Sequence, residues 1–251
     1  MNCLSCGPTT ALESGEHVFS KWLLKHIQAV RIPIIHFGYK VEDGSQQPHL
    51  RQMRLNSFKL RQICKPCNNG WMSRLETAVK PIVLGLMAHT LTLEALNDEQ
   101  RRVLARWAGK TALIESYAVG AEKPINPKIL QSMRQYEEGP AGNFGVLALS
   151  TKFVAIGHMQ MGLILDLLCG ESTAANIVIL ILPNLILTCV FPLQELPCQY
   201  LCDLQTYFPV WPERRCWQHM NVETPPLPAP TRDAGFLISL AAKIELKVLY
   251  R

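Results

Sequence analysis

The sequence predicts an α+β protein in two domains: a zinc-stapled N-terminal lobe over residues 1–76, then a companion over residues 77–251 that runs from a helical segment into a mainly antiparallel sheet. Three observations carry that prediction. Cys3-Leu-Ser-Cys6 and Cys64-Lys-Pro-Cys67 are two Cys-x-x-Cys pairs, and together they offer the four thiolates of a closed structural zinc site. Apolar residues recur at helical spacing over Trp71 to His89 and again over Asn97 to Ala118. From Phe144 onward the pattern changes to short runs of β-branched and large apolar residues broken by turn residues.

Each Cys-x-x-Cys pair turns the backbone so that both sulfurs face one ion, and the second pair, at a helix start, supplies its half from far along the chain. The ion then replaces a hydrophobic core in a segment too small to have one. The same spacing occurs in redox-active thiols, but a thiol oxidoreductase needs a βαβ context that this segment lacks. Cys3, Cys6, Cys64 and Cys67 are therefore the expected Zn²⁺ ligands. Glu16-His17-Val18 falls on a short polar hairpin after the first pair. Residues 20–30 carry apolar residues at helical spacing behind Ser20 as N-cap, so Trp22, Leu23 and Ile27 face inward and Lys21, Lys25 and His26 outward. Residues 31–56, with Gly38, Asp43-Gly44 and Pro48 among polar neighbours, read as a hairpin or loose loop inserted between the two halves of the zinc site.

Composition and charge bound the function. Of 251 residues 48% are apolar, enough for a real core. No leader is expected at the N-terminus, so the nine cysteines point to a cytoplasmic protein that uses them as ligands or buried thiols rather than disulfides. The net charge of +5 is unevenly placed: residues 1–75 hold 10 Lys and Arg against 4 Asp and Glu, and residues 76–251 hold 15 against 16. The positive excess lies in the zinc lobe, as expected if that lobe faces a polyphosphate backbone. Arg51, Arg54, Lys59, Arg61 and Lys65 gather on the approach to the second pair and are the expected nucleic-acid contacts, because alternate residues of a strand point the same way. The alternative is an ordinary solvated surface with a mild basic bias.

Taken together, Cys3-x-x-Cys6, Glu16-His17-Val18 and Cys64-x-x-Cys67-Asn68 resemble the pattern of the HNH endonucleases, in which a zinc-stapled treble clef holds a ββα-metal active site. The resemblance covers about the first third of the chain. It implies that His17 is the general base, that Glu16 and Asn68 hold a catalytic Mg²⁺ or Mn²⁺, and that zinc is structural. The protein it implies is a metal-dependent nuclease whose partner is nucleic acid, double-stranded DNA foremost. One position departs from the pattern: where the family has an Asn in its second strand, five residues before the third cysteine, this chain has Lys59. Asn56 lies three residues away, and an odd shift puts it on the other face of a strand. Asn56 through a bulge, or a backbone carbonyl, is left to orient the base. The same departure favours a reading from another class, a non-catalytic treble-clef module that binds nucleic acid or protein.

Beyond the zinc lobe, Trp71 to His89 reads as helix with Pro81 breaking it in two. Trp71, Leu75 and Val79 form a core stripe rather than a base-stacking platform, and Glu76 is a solvated carboxylate or a further metal ligand. Asn97-Asp-Glu-Gln100 is a capping-box start for a helix to about Ala118. Its inward face is Val103, Leu104, Trp107, Ala108, Thr111 and Ile114, with Arg101, Arg102, Arg106 and Lys110 on a solvated face. Asn126-Pro127 opens another short helix. Residues 145–149, 153–158, 176–182 and 185–191 read as strands, the last two a buried hairpin across Pro183-Asn184 that is too short and broken to cross a membrane as a helix. The stretch Phe208-Pro-Val-Trp211-Pro212 is expected to wrap the sheet as a loop, and residues 233–246 to pack on it as a final helix. Cys198, Cys202, Cys216 and His219 have the spacing of a second zinc site, though their apolar neighbours also suit buried free thiols. The companion domain carries no nameable chemistry and is expected to grip substrate, form a homodimer or dock a protein partner.

Overall fold

A computed structural model describes residues 2–8, 14–29, 34–42, 45–52, 59–118, 125–135, 144–150, 156–166, 172–192, 200–202, 208–211 and 217–219. The chain divides into two units, Met1–Ile32 with Met53–Phe144, and Pro33–Gln52 with Gly145–Arg251. The expected boundary at 76/77 falls inside a helix of the first unit.

In the first unit, β1 (Asn2–Cys3) and β2 (Gly7–Pro8) pair antiparallel around the first cysteine pair. Gly7 closes that turn at φ 82°, a left-handed conformation that suits a residue without a Cβ. β3 (Ser14–His17) pairs antiparallel with β6 (Lys59–Ile63), so that Glu16 faces Leu60 and His17 faces Lys59, with an irregularity between Ser14 and Glu16. α1 (Lys21–Ala29) follows β3 and buries Leu23 and Leu24, while Lys21, Lys25 and His26 are exposed. After β6 the chain makes one helical turn, α2 (Lys65–Cys67), a π-helical turn over Asn68–Met72, and then α3 (Ser73–Met87). Trp71, Leu75 and Val79 are buried together as a core stripe. Pro81 does not break α3. It and Thr77, whose carbonyl the ring deprives of a partner, are both exposed, so water can satisfy what the helix loses.

α4 (Asp98–Ala118) begins with the reciprocal capping box: the Asn97 amide donates to Gln100 Oε1 at 3.0 Å, and the Gln100 amide donates to Asn97 Oδ1 at 2.8 Å. α5 (Lys128–Gln135) starts with the Lys128 amide donating to Asn126 Oδ1 at 3.0 Å. The solvated face expected for α4 is interrupted by Lys110, which is completely buried. From Leu104 to Ser116 all but Arg106 are buried, because α4 is the central helix of this unit and is covered all round. Gly109 lets α5 and Phe144 close on α4: a Cβ there would lie 2.6 Å from Met133 Cε and 2.8 Å from Phe144 Cε2. Gly109→Ala is expected to lower stability by about 1–2 kcal/mol, overpacking outweighing the gain in helix propensity. A urea midpoint that is unchanged or higher would contradict this packing.

The second unit is built on a seven-stranded sheet in the order β12-β7-β10-β9-β8-β4-β5. The strands are β4 (Ile34–Glu42), β5 (Ser45–Gln52), β7 (Gly145–Ser150), β8 (Ile156–Asp166), β9 (Ser172–Leu182), β10 (Leu185–Pro192) and β12 (Phe208–Trp211). Every pairing is antiparallel except β4 with β8. The inserted segment is thus a hairpin, but it belongs to this sheet and not to the cysteine-bearing unit around it. β9 and β10 join through Pro183-Asn184, with Asn184 at φ 60°, and residues 175–182 are buried without alternation, as in a strand covered on both faces. Phe208–Trp211 is an edge strand on β7 rather than a loop, and its register shifts between Pro209 and Trp211, where a proline interrupts the ladder. A separate pair, β11 (Tyr200–Cys202) with β13 (Trp217–His219), is parallel. The expected final helix at 233–246 lies outside the described residues. Among the described residues no helix is long and apolar enough to cross a membrane.

Candidate metal centre and active-site cleft

The turn between β1 and β2 and the start of α2 bring the two cysteine pairs together. The sulfurs of Cys3, Cys6, Cys64 and Cys67 all lie within 4.8 Å of one another, with Cys6 and Cys64 at 3.7 Å. Among the described residues this is the one group of three or more His, Cys, Asp and Glu side chains placed to hold a metal ion. Three contacts lock the halves: Cys64 N–H donates to Cys3 Sγ at 3.4 Å, Leu4 N–H to the Gln62 carbonyl at 3.0 Å, and Trp71 Nε1 to Ser5 Oγ at 2.9 Å. Burial pushes the Cys3 thiol up, but the backbone N–H groups of Cys64, Ser5 and Cys6 outweigh it and bring it down to about 7. Burial and the neighbouring thiols push Cys6 up instead. The arrangement can hold a metal ion in four sulfurs, three of them on buried residues.

Beside this centre lies a cleft of about 520 Å³. β3 contributes Gly15, Glu16 and His17 to its wall, the start of α1 adds Lys21 and Trp22 after Ser20, and β6 adds Lys59. Asn68 and Asn69 of the π-helical turn face it with Ser73, Glu76, Thr77 and Lys80 of α3. Glu16, His17 and Asn68 therefore line one cavity. Among the described residues, His17 Nδ1 and Trp22 Nε1 are buried without a hydrogen-bond partner.

The two carboxylates of the cleft are held by Lys110, a residue expected on a solvated face of α4. Lys110 Nζ donates to Glu16 Oε1 and to Glu76 Oε1, each at 2.9 Å. Burial opposes the lysine's charge, but the two carboxylates outweigh it and keep the ammonium protonated. Burial raises the Glu16 carboxyl, with Lys110 pulling the other way. Glu76 is also pushed up by burial, yet Lys110 and a hydrogen bond with Ser20 bring it below the usual carboxylate range. For His17, burial and the charges of Lys59 and Lys21 lower the imidazole pKa, and Glu76 offsets part of this. Lys59, at the position where the family pattern has an Asn, is the register partner of His17. Asn56, the residue expected to orient His17, lies outside the described residues.

The expected nucleic-acid contacts do not all fall in the cysteine-bearing unit. Lys59, Arg61 and Lys65 are exposed there, on β6 and α2. Arg51 belongs to β5 of the sheet unit, and Arg54 lies outside the described residues. Lys21 and Lys80, not singled out from sequence as cleft residues, are exposed on the cleft wall beside Lys59. A signal for Lys110 was present: the run Trp107-Ala-Gly-Lys-Thr-Ala-Leu-Ile114 is apolar on every side of the helix, which marks a buried helix rather than an amphipathic one. Of the second cysteine cluster, Cys202 and His219 are register partners in β11 and β13, while Cys198 and Cys216 lie outside the described residues.

No family model matches this chain, and no curated protein or solved structure shows a significant similarity to it.

Proposed function

We propose that this protein is a metal-dependent nuclease of HNH type, with a treble clef held by Zn²⁺ on Cys3, Cys6, Cys64 and Cys67, acting on the phosphodiester backbone of DNA. The observation that supports it most is the single cleft that Glu16, His17 and Asn68 line beside the four-cysteine centre. Four sulfurs at one point suit zinc. Hard oxygen donors suit the other ion: the Glu16 carboxylate and the Asn68 amide oxygen would hold Mg²⁺ or Mn²⁺, with Glu76 nearby on the same wall.

When bound, the divalent ion supplies Lewis-acid stabilisation of the charge that develops on the leaving oxygen. His17, with its pKa lowered by burial and by Lys59 and Lys21, is neutral at physiological pH and takes the proton of the attacking water. Lys21, Lys59 and Lys80 on the wall balance phosphate charge and position the backbone. A second reading, a binding module without catalysis, is favoured by Lys59 opposite His17 and by the engagement of Glu16 with Lys110.

One assay separates the two. Supercoiled plasmid incubated with the protein and Mg²⁺ or Mn²⁺ is expected to be nicked, and EDTA to prevent it. A gel shift of the same DNA with no nicks under either ion selects the binding module.

A further inference from the structure

Lys110 is 0% exposed, yet both of its ion-pair partners look onto the cleft, Glu16 from β3 and Glu76 from α3. A fully buried lysine persists only where its charge is compensated and its donors are used, and here both carboxylates meet it at 2.9 Å. Glu16, Glu76 and Lys110 together carry one net negative charge, and Lys21, Lys59 and Lys80 on the same wall add positive charge around them. Any second cation that approaches Glu16 meets a carboxylate already shared with an ammonium, and the two positive charges repel at short range in a poorly solvated site. His17 is the next residue along β3, so the element that Lys110 restrains through Glu16 is the one that carries the imidazole.

We propose that Lys110 is a built-in cation of the cleft: it orients Glu16 and Glu76 and competes with a divalent ion for them, so that the ion is held weakly and exchanges readily. This rests on reading the cleft as a divalent-ion site. Lys110 touches neither substrate nor ion. It is a positioning residue that ties a strand and two helices into one frame and sets how strongly that frame attracts a cation.

The test is Mn²⁺ binding to protein whose four-cysteine site is loaded with Zn²⁺, followed by the electron paramagnetic resonance signal of free Mn²⁺ and by the Mn²⁺ dependence of Tm. Lys110→Met keeps the side chain's bulk and removes its charge. It is expected to bind Mn²⁺ roughly tenfold more tightly than the unsubstituted protein, as one like charge is lost at close range. Its Tm should fall without Mn²⁺ and be largely restored with it, because the ion then compensates the two carboxylates. Lys110→Arg, which keeps the charge, should retain weak binding. Should Lys110→Met fail to fold, Glu76→Gln and the double variant Glu76→Gln/Lys110→Met make the same comparison with a single carboxylate, and the double variant should bind more tightly. Equal or weaker Mn²⁺ binding on removal of Lys110 overturns the proposal alone. Mn²⁺ binding by none of these proteins overturns the divalent-ion reading and the proposal with it.

Discussion

His17→Ala is expected to reduce plasmid nicking by about a hundredfold or more, the loss that follows removal of a general base. Zinc content and the unfolding midpoint should stay at their original values. The imidazole is partly exposed at the cleft wall, and its Nδ1 has no hydrogen-bond partner among the described residues, so truncating it strands no buried group. Its cross-strand neighbour Lys59 is exposed, and the His17–Lys59 pairing is made by backbone that alanine preserves. The measurement pairs a nicking rate with a zinc assay and a melt on the same preparation. A variant that nicks at the original rate removes His17 from the chemistry, and one that is inactive but has lost zinc reports damage to the scaffold instead.

The other large effect belongs to Cys64. Cys64→Ala should release the metal and melt the cysteine-bearing unit, since structural zinc contributes on the order of 10 kcal/mol to small metal-stapled folds. Cys64 is 2% exposed, donates its amide to Cys3 Sγ, and accepts the Asn68 amide at its carbonyl at 3.0 Å. It is the point where the first pair, the second pair and the helix start meet. Loss of the ion therefore also displaces Asn68, and the cleft loses one wall. A strong chelator, or acid that protonates the thiolates, should act in the same direction. Atomic absorption and far-ultraviolet circular dichroism decide it: a Cys64→Ala protein with one bound zinc and an unchanged melt would refute the centre.

What could be read from the chain was local. The Asn97–Gln100 capping box, the Asn126 cap and the Pro183-Asn184 turn rest on side chains that act within a few residues, and each sits where its chemistry places it. The meeting of the two cysteine pairs was legible for a different reason, since four thiolates at knuckle spacing have few other uses. The apolar run around Lys110 marks it as buried but does not name its partners, which lie 94 and 34 positions away. Local propensity alone makes Pro81 a helix breaker, whereas the intact α3 depends on which face the ring occupies. The β4–β5 hairpin was recognised as an insertion, but its membership in a sheet is decided by β8, more than a hundred residues further on.

That insertion imposes an order on how the molecule is made. As the chain leaves the ribosome, both cysteine pairs are out once residue 67 has emerged, and an ion can close the intervening loop. The ribbon of β4 and β5 inside that loop must wait for residues 156–158 before Ile34–His36 at its inner edge gain their parallel partners. Two strands alone are marginal in water and present an open edge to other chains. A nascent chain halted between these points would carry a closed metal clasp and an unprotected ribbon, which makes the middle of synthesis the interval most exposed to self-association.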